Sequence, residues 1–213
     1  PSFIRAMRQM LDQKHPQDFR NPVVSRQACV CTPTCFVPID RVRIIGERIN
    51  PTGKKRLKQA ILEQDFDYIL SQGLSQLEAG AQILDVNMGM PEVDESRMLP
   101  LVIQKLQGVL DAPLQIDSSN VKAIEQALRL YNGKPIVNSV NGEEGSMNAI
   151  LPLVKKYGAA VVALTLDDNG IPLLAEERFA IAERIVAHAE QYGIPREDIY
   201  VDCLTLTASV QQH

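Results

Sequence analysis

The 213-residue chain contains no Trp, only five Tyr and five Phe, three His and four Cys. So few aromatics leave no platform on which successive bases could stack, which argues against single-stranded nucleic acid as a partner. His15, His188 and His213 lie far apart, so neither a Ser-His-Asp nor a Cys-His arrangement has a starting point. Glycine-rich phosphate cradles of the G-x-G-x-x-G or P-loop type are missing as well. No apolar run approaches the ~20 residues that span a bilayer, and no basic-then-apolar leader opens the chain. The expected address is therefore cytoplasmic, with neither membrane nor nucleic acid as partner. The opening Pro1-Ser2, without Met, points to a natural beginning elsewhere.

Three of the cysteines, Cys29, Cys31 and Cys35, are spaced C-x-C-x3-C between Pro22 and Pro38. Structural zinc usually takes four ligands, often in paired C-x2-C steps. The nearest histidine, His15, lies 14 residues upstream, with no second pair. The three thiols read as linker cysteines of a reducing compartment, and no metal site is expected. Charge is unevenly placed. Residues 1–43 hold 7 Lys+Arg against 3 Asp+Glu, and the remainder 15 against 23, within a total of 22 against 26. This divides the chain into an N-terminal helix and linker, residues 1–40, and an acidic main domain, residues 41–213.

From residue 42 the chain alternates short apolar runs with amphipathic stretches. The runs Val42–Gly46, Ala81–Val86, Pro113–Ile116, Pro135–Val137, Ala159–Leu164 and Ile199–Val201 read as strands buried on both faces. Between them the periodicity predicts helices over Lys54–Ala79 (one or two), Glu95–Leu110, Asn120–Leu130, Met147–Tyr157 and Glu176–Tyr192. Gly80, Gly133, Gly158 and Gly193 fall where four of these helices should stop. Strand-then-helix repetition means an α/β fold with a parallel sheet, either an eight-unit barrel or an open sheet. A strand begins roughly every 31 residues, and eight such units make the usual ~250-residue barrel. The sequence from Val42 holds about six units.

Polar residues follow each apolar run. They are Glu47 to Asn50, then Asp85 and Asn87, Asp117 with Ser118 and Ser119, Asn138 with Ser139, Thr165, and Asp202. Asp85 and Asn87, two apart, share one side of a strand. Ligands of parallel α/β folds bind at this carboxyl end. Helix capping competes for the same residue types: Ser118 or Ser119 is expected to cap one helix and Asn141 or Ser146 the next, leaving Asp117 and Asn138 free. Carboxylates and amides suit a flat, donor-rich heterocycle, because two carboxylate oxygens can accept adjacent N–H groups in parallel. Arg48, Lys54, Lys55 and Arg56 could meet an anionic tail.

The run Ile45-Gly46-Glu47-Arg48-Ile49-Asn50-Pro-Thr-Gly-Lys-Lys resembles the opening of the pterin-binding barrel of cobalamin-dependent methionine synthases and methyltetrahydrofolate:corrinoid methyltransferases. Leu84-Asp85-Val86-Asn87-Met88-Gly89, Ile116-Asp117-Ser118-Ser119-Asn120, Ile136-Val137-Asn138-Ser139-Val140-Asn141 and Tyr200-Val201-Asp202 match further motifs in order. The resemblance implies a TIM barrel of the type shared with dihydropteroate synthase, truncated here after about six βα units. It implies binding of 5-methyltetrahydrofolate and methyl transfer to a cobalamin that a separate corrinoid domain or protein carries. In that family the residues matching Asp117, Asn138 and Asp202 hydrogen-bond the ring, with Asp85 and Asn87 in a lining motif and Glu47 and Asn50 nearby. Asp117 and Asn138 are the expected catalytic pair. The family's further Asn after a seventh strand would fall beyond His213. Pro1 to Arg8 resembles the last helix of a homocysteine-binding barrel, which would make such a domain an upstream neighbour. Two open sheet edges make a homodimer or a complementary segment candidates for covering them. A dihydropteroate synthase would carry Asn-x-Thr-x-Asp-Ser-Phe at the first strand end, where this chain has Glu-Arg-Ile-Asn-Pro-Thr-Gly. The alternatives are a dihydropteroate synthase-like pterin enzyme, whose anion-binding motifs would lie late in the barrel, and a folate-binding fragment without chemistry of its own.

Overall fold

The computed structural model describes residues 2–13 and 26–205. His15, His213 and much of the expected linker lie outside the described residues. Helix α1, Ser2–Asp12, buries none of its residues and exposes Phe3, Ile4, Met7, Met10 and Leu11. A short antiparallel hairpin follows, β1 (Cys29–Cys31) with β2 (Phe36–Pro38), and then six strands alternate with helices. These are β3 (Ile45–Ile49), β4 (Ile83–Asn87), β5 (Leu114–Asp117), β6 (Ile136–Asn141), β7 (Ala160–Leu164) and β8 (Ile199–Asp202). The helices are α2 (Lys55–Glu63), α3 (Phe66–Glu78), α4 (Glu95–Gln107), α5 (Val121–Leu130), α6 (Glu144–Tyr157) and α7 (Ala175–Gln191).

All six strands are parallel and lie in sequence order, β3 to β8. A doubly wound sheet reverses its strand order at a switch point. No reversal occurs here, so the winding is that of a TIM-type barrel rather than an open Rossmann-like sheet. The two faces of the sheet separate by residue parity, as period 2 requires, except in β6, whose register shifts between Asn138 and Val140. Leu84, Val86, Leu114, Ile116, Val137, Val140, Val161 and Ala163 pack into one large core with the helices. The intervening residues face the barrel interior. Near the start of the strands, Ile83, Ile136 and Ala160 form a second apolar cluster with Val30 and Val37 of the hairpin. Full burial of a Val contributes about 1.5–3 kcal/mol, so this plug adds appreciably to the fold.

The hairpin overturns the linker reading for Cys29 to Pro38. Its strands are short because Thr32 and Thr34 turn the chain, both hydroxyls donating to Asp111 Oδ1. The Tyr131 hydroxyl and the Lys134 amide both donate to the Cys31 carbonyl. Gly133 permits that approach: it has φ +124°, and a Cβ there would lie 2.3 Å from the Cys31 oxygen. Cys29, Cys31, Cys35 and Cys203 are free thiols.

Other boundaries moved for local reasons. The first strand begins at Ile45 rather than Val42, because Val42 is almost fully exposed and Arg43 is held by Asp40 and the Pro38 carbonyl. Glu47 therefore lies within the strand. The long first helical stretch splits at Gln64, which is left-handed (φ 54°), and Asp65 caps the second part by accepting from the Tyr68 amide. The four glycines expected at helix ends all adopt positive φ. Among the described residues, no helix is long and apolar enough to cross a membrane.

Candidate functional site

The carboxyl ends of the central strands bring polar interior residues into register. Asn87 is paired with Asp117, and Asp117 with Asn138, forming one row across β4, β5 and β6. Asn87 Nδ2 donates to Asp117 Oδ2 at 2.9 Å. One layer below, Asp85 is in register with Gln115, whose Nε2 donates to Asp85 Oδ1 at 2.6 Å. The other oxygen, Asp85 Oδ2, is buried without a partner among the described residues. Beneath that layer the apolar plug begins, so Asp85 has little water to solvate its charge.

Burial drives the protonation behaviour. Desolvation pushes the Asp85 carboxyl up to about 7, with Asp117 and Glu47 adding repulsion and Gln115 opposing. Asn138 lies near enough to draw it down slightly, without completing a hydrogen bond to Oδ2. Asp117 is also raised, first by burial and then by Glu47, against the bond from Asn87. Glu47 reaches this field from β3 while pairing with Lys54 Nζ at 3.3 Å. The β3 backbone is bulged between Gly46 and Ile49, and the buried Gln76 accepts the Arg48 amide at 2.6 Å. Burial and the neighbouring carboxylates together favour the protonated form of Asp85 near neutrality.

Capping takes other residues than expected. Asn120, not Ser118 or Ser119, caps α5 by accepting from the Lys122 and Ala123 amides, while Ser118 Oγ accepts the Asn120 amide. Asn141 accepts from the Glu143 amide, and Ser146 Oγ accepts the Asn141 amide, so neither is the N-cap of α6. Glu143 holds that position without a side-chain bond. Asp117 and Asn138 serve no cap. Beside them a cavity of about 490 Å³ opens, lined by Asp117, Ser118, Asn138, Ser139, Asn141 and Leu164 among others. That volume is within the range of small-molecule sites.

Of the residues singled out from sequence, the structure brings Asp85, Asn87, Asp117 and Asn138 together, with Glu47 within electrostatic reach. Asn50 is turned to the loop after β3, where its Oδ1 accepts from the Thr52 amide at 3.0 Å. Asp202 stands at the end of β8 opposite Leu164, with its Oδ1 accepting from the Leu204 amide at 2.7 Å. Gln115 escaped notice, although its parity with Asp117 along β5 placed it on the interior face. Among the described residues no cluster of His, Cys, Asp and Glu could hold a metal ion.

Six parallel strands in sequence order with a polar cavity at their carboxyl ends define an α/β fold of the TIM-barrel type, and solved structures match it. Dihydropteroate synthase from Xanthomonas albilineans superposes with a TM-score of 0.62 at 22% identity, over 83% of this chain and 64% of that one. The enzyme from Vibrio fischeri ES114 gives 0.61 at 17% identity, over 82% and 65%. These likenesses establish the fold. The family profile described as "Pterin binding enzyme" matches residues 46–213, and the chain belongs to that family. Among curated proteins it is 30% identical over 183 residues to the methionine synthase of Mycobacterium leprae, covering 83% of this chain. The Mycobacterium tuberculosis methionine synthase is 30% identical over 177 residues. The chain spans 15% of the length of each.

Proposed function

We propose that this chain binds 5-methyltetrahydrofolate and supports transfer of its methyl group to the cob(I)alamin of a corrinoid domain, as one step of methionine synthesis. The observation that carries the reading is the row Asn87–Asp117–Asn138, in register across three strands above a buried carboxylate with an orphan oxygen. A pterin ring presents adjacent N–H donors and ring acceptors in one plane. Asp117 Oδ1, free of the Asn87 bond, and the Asn138 amide match those groups. Asp202 is assigned to the amino-pyrimidinone edge. Asp85 Oδ2 offers a further acceptor, or a donor when protonated. Glu47 and Asn87 complete the wall, and Asn50 shapes the loop beside it.

The reacting bond poses a defined problem, because an uncharged tertiary amine is a poor leaving group. Methyl transfer needs a proton or a strong hydrogen bond at the methyl-bearing nitrogen. Asp117 and Asn138 are the residues proposed to organise it, and the negative field of Glu47 and Asp117 favours a positively charged ring. The corrinoid supplies the cobalt(I) nucleophile that accepts the methyl group. The rest of this chain's contribution is to hold the ring in place while the partner approaches. Other domains are expected around it, since the relatives are far longer. Helix α1, with its exposed apolar stripe, is assigned to packing against an upstream homocysteine-binding domain.

Calorimetric titration with 5-methyltetrahydrofolate tests the reading. Micromolar binding is expected, weakened about tenfold or more, ~1.4 kcal/mol, by Asp117→Asn. Binding without demethylation when cob(I)alamin is supplied would leave a pterin-binding module that does no chemistry alone. No binding by the folded chain would remove the proposal.

A further inference from the structure

Arg178 lies in the first turn of α7, where the helix dipole disfavours a cation. Among the described residues, none of its hydrogen bonds goes to a carboxylate. Its Nε donates to the Pro172 carbonyl at 2.7 Å, and Nη1 donates to the carbonyls of Cys203 at 2.9 Å and Leu204 at 3.1 Å. One guanidinium thus joins the loop leaving β7 to the turn leaving β8. That turn is unusual. Leu204 adopts φ 52°, a left-handed conformation that is strained for a residue carrying a Cβ. Such a conformation persists only where its surroundings over-determine it.

Three sets of contacts do so. The Leu204 amide donates to Asp202 Oδ1. Thr165, buried to 1% exposure, donates both its amide and its hydroxyl to the Asp202 carbonyl, at 3.2 and 3.0 Å. Arg178 then closes the turn from outside by holding the two carbonyls that follow. The Leu204 amide thus restrains the Asp202 carboxylate through Oδ1, and among the described residues no donor meets Oδ2. Release of the Cys203 and Leu204 carbonyls would let Leu204 return to ordinary backbone geometry, and Oδ1 would lose its donor.

We propose that Arg178 is a positioning residue for Asp202: through the Cys203–Leu204 turn it sets the carboxylate in the orientation that meets the pterin edge. The inference rests on the pterin reading of the site and adds to it a residue that touches no ligand. Lys cannot replace it, because a single ammonium on a flexible stem does not span two loops as a planar fork does.

The test is a pair of double-mutant cycles, read by calorimetric titration of 5-methyltetrahydrofolate. Arg178→Ala and Asp202→Asn should each weaken binding about tenfold, and the double variant should bind within about twofold of Asp202→Asn alone. Combined with Asp117→Asn, by contrast, Arg178→Ala should multiply the loss. Multiplication in both cycles, or unchanged affinity in Arg178→Ala, overturns the proposal. Amide hydrogen exchange at Leu204 supplies a ligand-free readout. It should quicken at least about tenfold in Arg178→Ala and in Arg178→Lys, while the β6 amides stay protected. Unchanged exchange at Leu204 also overturns it. If the Ala variant does not fold, the Lys variant carries both measurements. Absence of binding by the unaltered chain would count against the pterin reading, and the exchange result would still decide the role of Arg178.

Discussion

Ile83 and Asp85 sit two residues apart on one strand and face the same interior, yet their surroundings are opposite. Ile83 meets Val30 and Val37 of the hairpin, Ile136 and Ala160, a dry apolar plug. Asp85 meets Gln115, with Asp117 and Glu47 close enough to raise its proton affinity. The lower end of the barrel is built to hold together. The upper end carries desolvated, mutually repelling carboxylates that a design for stability alone would omit. The contrast divides a single sheet: an acidic, incompletely compensated layer lies towards the carboxyl ends of the strands, and a largely apolar cluster lies at their start.

A charge placed in the plug should sharpen the contrast most. Val30→Asp buries a carboxylate among apolar neighbours, and the expected loss is on the order of 4 kcal/mol or more, measured by urea unfolding. Asp85→Asn should act in the opposite direction and depend on pH. The native carboxyl keeps its proton up to about pH 7, whereas the unfolded chain loses it near 4. Between those values the native state binds the extra proton, so Asp85 makes stability fall as pH rises, by up to about 4 kcal/mol. Asp85→Asn should remove that fall and raise the melting midpoint at pH 8, while weakening pterin binding. Melting curves of both proteins at pH 5 and pH 8 check the sign. An equal pH dependence in the two would mean that Asp85 is not the buried acid described.

Gly133→Ala probes the seam between hairpin and barrel. It combines a left-handed backbone with a 2.3 Å clash on the Cys31 carbonyl, and a loss of about 2–3 kcal/mol is expected, with ligand affinity unchanged. Tyr200→Phe should have the smallest effect. The Tyr200 hydroxyl is buried without a partner among the described residues, so its removal should be neutral or stabilise by about 0.5–1 kcal/mol in the same unfolding assay.

The strand–helix order, the glycine stops and the polar strand ends were legible because each depends on local periodicity and backbone geometry. The hairpin was not. Its strands are three residues long, and what orders them is contact with Ile83, Ile136, Asp111 and Gly133, residues tens of positions away. The cap of α5 was misplaced by one or two positions because Ser118, Ser119 and Asn120 are all competent caps, and only the path of the turn selects Asn120. Asp117 and Asn138 stood out by residue type. The pairing of Asp85 with Gln115, and the Arg178 clamp on the turn after Asp202, depend on register and on a loop crossing that no short motif encodes.

Residue-by-residue amide chemical shifts, recorded with and without 5-methyltetrahydrofolate, test the division between the two ends most directly. The expected result is large shifts at Asn87, Gly89, Ser118, Ser139 and Leu204, with Cys29 to Pro38 unmoved. Shifts centred on the hairpin, or none at saturating ligand, would contradict a pterin site at the carboxyl ends of the strands.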